Sequence, residues 1–239
     1  MKLTLQGIRD RKSWENAGIR LPGYDAAAAR AVCKAAPRWV HFGIGNIFRG
    51  FIGQIADDLL EEGLLSTGLT CVETFDYEVV DKIYDPYDNL VLNVILKADG
   101  TRDMKVLGSL SEAVKGNSSD EKSWERLKEI FRAPSLQMVS FTITEKGYAL
   151  IGTDGSYLPY VAEDMANGPD QVTGAMAVLT AMLLERFLCG ELPIALVSMD
   201  NCSQNGSLLK ASVLTTAKEW VNRGLAPQEL LNYLSDETK

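Results

Sequence analysis

Residues 40–53 have the sequence VHFGIGNIFRGFIG, and this stretch decides the fold of the chain. An apolar run enters it, a Gly-x-Gly turn follows, and an amphipathic run leaves it. The order strand, tight turn, helix is how a Rossmann unit begins. Gly43 is predicted to make the turn, and Gly45 to admit a pyrophosphate close to the backbone because it has no Cβ atom. A helix beginning near Ile47 would then direct its free N–H groups at that phosphate.

The match to the dinucleotide-binding fingerprint G-x-G-x-x-G is incomplete. The third glycine should fall at Phe48, whereas glycines stand at Gly50 and Gly53. On the turn alone, a glycine turn between a strand and a helix that binds no ligand therefore remains the alternative.

The composition excludes several classes of protein. The chain has 239 residues and a formal net charge of −8, which argues against a nucleic-acid surface because such surfaces cluster Lys and Arg. No apolar run approaches the roughly 20 residues of a membrane span, and the N-terminus lacks the apolar core of a signal peptide. The four cysteines, Cys33, Cys71, Cys189 and Cys202, have no metal-ligand spacing. We therefore expect buried free thiols, no metal site and a cytoplasmic location.

Strand-like and helix-like segments alternate along the rest of the chain. Short β-prone runs occupy residues 69–72, 137–144 and 193–198, and helical patterns separate them. This alternation predicts an α/β fold with a doubly wound, mostly parallel Rossmann sheet. Two further β-prone runs within residues 90–107 flank the turn signal Asp99-Gly100, which predicts a β-hairpin insertion.

The sequence also suggests a division of the chain. Residues 1–37 carry no pattern that indicates chemistry and are predicted to be a lead-in, whereas residues 38–239 form the dinucleotide-binding domain. Asp25 is predicted to cap a short helix within the lead-in. Ser111 followed by Glu112 is predicted to begin a short helical stretch.

Polar side chains stand at the carboxyl ends of the predicted strands, where ligands gather in open α/β sheets. Glu73 could accept hydrogen bonds from the adenosine ribose hydroxyls and would repel the extra phosphate of NADP. Asp76 competes for this role, and a solvated acid at a strand end is the alternative without function. Thr142, Thr144 and Glu145 stand at a later strand end, where they could face a cofactor or be ordinary strand-end polarity.

Three separated motifs resemble one family. Residues 43–53 resemble the phosphate-loop signature of the polyol-specific long-chain dehydrogenases, which keeps two glycines and an arginine and does not require the third glycine. Residues 141–148, FTITEKGY, are similar to the family's Thr-Glu-x-Gly-Tyr segment. Residues 198–206, SMDNCSQNG, are similar to its Asp-Asn-x-x-x-Asn-Gly segment, although Asn205 could instead cap the following helix. The family includes mannitol dehydrogenase, mannitol-phosphate dehydrogenase, fructuronate reductase and tagaturonate reductase.

The resemblance implies an N-terminal Rossmann domain that binds NAD, in an enzyme that transfers hydride between NAD(H) and a sugar alcohol or a keto-sugar acid. It matches Glu73 to the acid that favours NAD. The candidate cofactor-binding residues are Gly43, Gly45, Asn46, Ile47, Phe48, Arg49, Glu73, Thr142, Thr144 and Glu145. The candidates that face the nicotinamide or the substrate are Glu145, Lys146, Asp200 and Asn201.

Two departures from the family pattern matter. Ala149 stands where many members carry an asparagine that helps to hold the substrate. No segment matches the family's Lys-x-x-x-x-Asn-x-x-His helix, which supplies the general base from a second, mostly helical domain. The only histidine, His41, precedes the glycine turn, and Lys146 belongs to another motif. We therefore expect a truncated chain without catalytic residues, inactive by itself and prone to self-association through the exposed domain face.

Two other functions stay open at this point. A stand-alone regulatory module would bind NAD(H) and signal through a partner without catalysis. A methyltransferase-like Rossmann protein would use the acid after the second strand to bind adenosylmethionine. The sequence does not choose between a polyol and a hexuronate substrate, because the family builds its specificity pocket partly from the second domain.

Overall fold

The structure, a computed structural model, describes residues 1–236 and residue 238. It is α/β, with a mostly parallel main sheet of five strands, and this confirms the fold class predicted from the sequence. The chain divides into two compact units, Met1–Ala113 and Val114–Lys239. The predicted boundary between the lead-in and the dinucleotide-binding domain, at residues 37 and 38, stays a prediction.

The first unit opens with short elements that lead into the main sheet. Asp25 accepts a hydrogen bond of 3.0 Å from the N–H of Ala28, which confirms the predicted helix cap. These elements are helix α1 (Arg11–Asn16), strand β1 (Ile19–Arg20), helix α2 (Ala26–Ala35) and strand β2 (Trp39–Phe42).

The order strand, turn, helix, strand follows as predicted. After β2 the chain turns at Gly43 and enters a helix whose π-helical turn, Phe48–Ile52, continues as α3 (Gly53–Glu61). Strand β3 (Leu69–Glu73) then runs parallel to β2. Its register with β2 places Phe42 opposite Val72, so the two strands end side by side.

The predicted hairpin is confirmed and belongs to a separate three-stranded sheet. Strand β4 (Val91–Leu96) pairs antiparallel with β5 (Arg102–Leu107), and β1 pairs with the other edge of β5. The lead-in therefore contributes both a strand and packing side chains to this small sheet. Its buried core comprises Trp14, Ile19, Leu21, Leu90 and Val106.

The predicted helical stretch at Ser111 is wrong. Residues Leu110–Lys115 form strand β6, which lies beside β3. The N–H of Leu69 donates a hydrogen bond of 2.8 Å to the carbonyl of Ser109, just before β6 begins. Pairing with β3 satisfies the backbone of this segment, and such tertiary pairing overrides the local preference of a Ser-Glu pair for a helix start.

The second unit alternates helices with a parallel pair of strands. In the register of strands β7 and β8, Phe141 lies opposite Ser198, so these strands also end side by side. Its elements are α4 (Glu121–Arg132), β7 (Met138–Phe141), α5 (Thr144–Tyr148), α6 (Pro159–Asn167), α7 (Ala175–Leu188), β8 (Ala195–Ser198), α8 (Asn205–Asn222) and α9 (Glu229–Ser235).

A buried arginine fixes the segments that precede β7 and β8. Arg186 of α7 is 1% exposed and forms no ion pair within residues 1–236 and 238. Its guanidinium donates five hydrogen bonds of 2.7–3.1 Å to backbone carbonyls. The acceptors are the carbonyls of Phe131, Ala133, Leu136, Leu192 and Pro193.

Candidate functional site

The glycine turn after β2 has the geometry that a phosphate loop needs. Gly43 has φ of +91°, a conformation that strains any residue with a Cβ atom. Its N–H donates to the carbonyl of Val72 over 3.0 Å and extends the pairing of β2 with β3. At Gly45, an added Cβ would meet no atom within 4 Å, so the space beside this backbone is open. The turn therefore exposes its backbone at the strand end, as predicted.

The first amides of the helix after the turn precede the first hydrogen bond of that helix. The N–H of Arg49 donates to the carbonyl of Gly45 over 3.1 Å and closes the first helical turn. The amides that precede Arg49 in this turn have no acceptor within the helix, so they remain available to an anion. Asn46 and Ile47 are exposed here, whereas Phe48 is buried.

Phe48 belongs to the core of this unit. Its ring stacks on the ring of His41 with 5.0 Å between centroids, and both side chains are buried. The Phe48 side chain therefore anchors the start of the helix to the buried core. The side chain of Phe48 is not exposed to a ligand, so only its backbone could take the predicted cofactor-binding role, which stays a prediction.

The buried imidazole of His41 makes the fold sensitive to acid. Burial disfavours the charged ring and lowers the pKa of His41 to about 3, an effect that a hydrogen bond with the Gly43 backbone partly offsets. An unfolded chain, with a histidine pKa of about 6.5, binds a proton that the folded chain excludes. Stability is therefore lost as the pH falls through the unfolded value, and the free energy of unfolding should drop by about 1 kcal/mol between about pH 6.5 and pH 5.5.

Urea titrations at both pH values test this expectation. His41 is the only histidine in the chain, so His41→Gln removes the only side chain with an ordinary pKa in this range. The variant should show a flat pH profile there. An unchanged slope in His41→Gln would mean that other groups cause the acid sensitivity.

Arg49 contacts the loop itself and the buried Tyr84. Its guanidinium donates to the carbonyl of Ile44 over 3.1 Å, to the Tyr84 hydroxyl over 3.3 Å and to Asn46 Oδ1 over 2.5 Å. The Tyr84 hydroxyl itself donates to the same Ile44 carbonyl over 2.5 Å. Tyr84 is fully buried and gave no signal in the sequence.

Glu73 stands at the end of β3, beside the glycine turn. Its Oε1 accepts hydrogen bonds of 3.0–3.3 Å from the backbone N–H groups of Thr74, Phe75 and Asp76. No residue among 1–236 and 238 donates a hydrogen bond to Oε2, so one carboxylate oxygen fixes the turn and the other is available. Asp76, the competing acid, is exposed and donates its own N–H to Glu73.

A second group of predicted residues lies at the ends of β7 and β8. Asp200 accepts hydrogen bonds of 3.0 Å from the N–H groups of Ile143 and Thr144, and one of 2.6 Å from the Tyr148 hydroxyl. The Tyr148 hydroxyl also lies 2.7 Å from Ser198 Oγ. Burial and the neighbouring Asp200 raise the pKa of Tyr148 above its usual range, so the hydroxyl remains a donor. Asp200 thus joins the end of β8 to the start of α5.

These contacts hold a strained turn. Thr144 has φ of +64°, which is rare for a residue with a branched side chain. Its own N–H and the N–H of Ile143 before it both donate to the Asp200 carboxylate. Glu145 and Lys146, which follow on α5, are exposed, and Thr142 is half-buried. The turn therefore presents Glu145 and Lys146 to solvent at the strand end.

The last predicted motif is arranged differently from a simple helix cap. The side-chain amide of Asn205 donates to the carbonyls of Ser198 and Asp200 over 3.2 and 2.8 Å, and Gln204 occupies the position before α8. Asn205 therefore ties the loop to the end of β8. Asn201 is exposed.

The predicted residues come together in two groups, one in each unit. The first contains the glycine turn, the start of its helix and Glu73, because β2 and β3 end side by side. The second contains residues 142–146 with Asp200 and Asn201. Sequence reasoning missed Tyr84, and it quoted Tyr148 and Ser198 only as parts of motifs.

Other predictions concern the cysteines and the membrane. Within residues 1–236 and 238 the four cysteines form no disulfide. Cys33 and Cys71 are buried as predicted and Cys202 is half-buried, whereas Cys189 is exposed, so the prediction of buried cysteines was wrong for Cys189. Within residues 1–236 and 238, no cluster of His, Cys, Asp or Glu side chains could hold a metal ion. No helix in the same residues has both the length and the apolar character to cross a membrane.

Comparisons with known proteins agree with the motifs. Residues 37–237 match the family model described as the mannitol dehydrogenase Rossmann domain. The chain is 48% identical to D-mannonate oxidoreductase from Thermotoga maritima over 237 residues, which cover 99% of the chain and 44% of that protein. It is 25% identical to mannitol 2-dehydrogenase from Pyrenophora tritici-repentis, covering 83% of the chain and 37% of the relative. The chain thus spans less than half the length of these curated relatives.

Solved structures share the fold. A ternary complex of Pseudomonas fluorescens mannitol 2-dehydrogenase with NAD and D-mannitol superposes with a TM-score of 0.74 at 23% identity, over 98% of the chain and 44% of that protein. A D-sorbitol dehydrogenase in substrate-free form gives a TM-score of 0.73 at 24% identity, over 91% of the chain and 43% of that protein. The helical domain of the family lies outside the matched region. Because the family model matches residues 37–237, the chain belongs to the mannitol dehydrogenase family and contains its Rossmann domain.

Proposed function

We propose that this chain binds NAD(H) as the cofactor half of an oxidoreductase that acts on a sugar alcohol or a keto-sugar acid. The observation that carries the proposal is the open backbone at Gly45, placed between a parallel strand and a helix start. This cradle fits a pyrophosphate, since a Cβ at Gly45 would fill the space. The related mannitol 2-dehydrogenase was solved with NAD, which supports the same cofactor here.

The proposed roles follow from the contacts. Gly45 and the first amides of the helix would hold the pyrophosphate, and the available Oε2 of Glu73 would accept from the adenosine ribose. Glu145 and Lys146 would face the nicotinamide or the substrate, as would Asn201. Asp200 would keep Glu145 and Lys146 in place through its hydrogen bonds to the preceding turn. When bound, NAD(H) supplies the hydride, and the protein orients it.

For the substrate, we propose a sugar acid of the D-mannonate class. The support is the 48% identity with D-mannonate oxidoreductase, compared with 25% for a mannitol 2-dehydrogenase. No segment of this chain matches the lysine-bearing catalytic helix of the family. We therefore propose that the proton base lies in the region of the longer relatives that this chain does not match. We also propose that the chain alone does not turn over substrate.

The regulatory alternative gains no support from the comparisons. Self-association and a cytoplasmic location also stay predictions. The helix after the glycine turn exposes three large apolar side chains, those of Ile47, Phe51 and Ile55. An uncovered domain face would lie there.

A thermal-shift titration tests the proposal. NADH should raise the melting temperature of the chain, because a ligand at about 100 times its Kd stabilises the folded state by about 2.7 kcal/mol. Adenosylmethionine at the same concentration should leave the melting temperature unchanged. A shift with adenosylmethionine and none with NADH would favour the methyltransferase-like function instead.

A further inference from the structure

The carbonyl of Ile44, in the middle of the glycine turn, is held by two donors. The Tyr84 hydroxyl donates to it over 2.5 Å and Arg49 Nη1 over 3.1 Å. These two donors also contact each other, with Arg49 Nη1 lying 3.3 Å from the hydroxyl oxygen of Tyr84. The carbonyl is therefore fixed from two directions by side chains that brace one another.

Fixing this carbonyl also fixes the next amide. Because a trans peptide is planar, the C=O of Ile44 and the N–H of Gly45 point in opposite directions. With the carbonyl held toward Tyr84, the N–H of Gly45 points away from it. Within residues 1–236 and 238 this N–H donates no hydrogen bond, and the space beside Gly45 is open.

We infer that Tyr84 is a positioning residue of the cofactor site: its hydroxyl holds the Ile44 carbonyl so that the Gly45 N–H is aimed at the pyrophosphate. The inference rests on the proposed NAD(H) function. Tyr84 never touches the ligand in this role, and it acts through the backbone of the loop.

The environment of Tyr84 suits this role. The side chain is fully buried, and burial raises the pKa of its hydroxyl above the usual range, so it stays a donor at any ordinary pH. Arg49 has a related role. Its second donor nitrogen binds Asn46 Oδ1, so the arginine of the loop signature braces the turn from inside.

The variant Tyr84→Phe tests the inference because it keeps the ring and removes only the hydroxyl. Losing one orienting hydrogen bond should weaken NADH and ADP-ribose binding by about fivefold to tenfold. The binding of adenosine, which has no phosphate, should stay unchanged when it is measured by competition with NADH. Hydrogen–deuterium exchange of residues 43–49 should be faster in the variant without ligand.

Tyr233→Phe is the matched control. Tyr233 is also buried, and its hydroxyl donates to a backbone carbonyl, that of Leu192, over 2.8 Å. Each variant loses one tyrosine–carbonyl hydrogen bond, so a purely structural effect should appear in both. Only Tyr84→Phe should weaken the binding of ligands that contain a pyrophosphate.

The outcomes separate the inference from the proposed function. If the unaltered chain does not bind NADH, the proposed function fails, and the role of Tyr84 fails with it. If the unaltered chain and Tyr84→Phe bind NADH with equal affinity, only the inference is overturned. The same holds if Tyr84→Phe loses as much affinity for adenosine as for ADP-ribose. If Tyr84→Phe does not fold in plain buffer, the same titrations are made on it and on the unaltered chain with a stabilising osmolyte such as TMAO, and equal NADH affinity there would contradict the inference.

Discussion

Replacing Gly45 with valine is expected to weaken NADH binding by about a hundredfold, because the added side chain would occupy the space that the pyrophosphate needs. In the free chain a Cβ at Gly45 meets no atom within 4 Å, so the fold should tolerate the change. The free energy of unfolding should fall by no more than about 1 kcal/mol, which is the cost of a poor residue at a helix start. Titration of NADH fluorescence measures the affinity, and urea unfolding measures the stability.

Gly50→Val is the control for this substitution. Gly50 lies on the helix that follows the turn, and an added Cβ there also meets no atom within 4 Å. The same side chain is therefore added nearby without entering the turn, and NADH binding should be unchanged. Equal affinity in Gly45→Val and the unaltered chain would show that no phosphate approaches the backbone at Gly45, and the proposed site would be wrong.

The elements that the sequence predicted correctly depend on local patterns. The glycine turn was recognisable because an apolar run ends at Gly43, whose φ of +91° needs a glycine. The hairpin was recognisable from two β-prone runs around Asp99-Gly100. In each case the residues that determine the structure are neighbours in the chain, so their spacing was sufficient.

The hydrogen bonds within the site could not be predicted in the same way. Tyr84 reaches the Ile44 carbonyl across 40 residues of sequence, and no periodicity marks such a contact. Arg49 was correctly placed in the loop, but its position alone did not show that it binds the loop itself. Similarly, Glu73 gave no sign that one of its oxygens would fix the turn that follows β3. Which donors meet which acceptors depends on the tertiary fold, which brings distant segments together.

The largest effect on stability is expected at Arg186. Arg186→Met keeps much of the aliphatic volume but removes every donor to the five carbonyls that the guanidinium serves. Buried carbonyls left without donors are costly, so the free energy of unfolding should fall by about 3–5 kcal/mol. Urea unfolding followed by circular dichroism measures the change.

Arg223→Met is the control, because Arg223, directly after α8, forms a partly exposed ion pair with Glu219 over 3.6 Å. Removing that pair should cost less than about 1 kcal/mol. Similar losses in the two variants would mean that the carbonyls around Arg186 find other partners, such as water. Arg186 also affects the candidate site, because two of its acceptors, Leu136 and Pro193, directly precede β7 and β8. We expect the loss of these hydrogen bonds to loosen both strands. The amides of the turn that Asp200 holds at the other ends of these strands should then exchange faster in Arg186→Met, even under conditions where the variant stays folded.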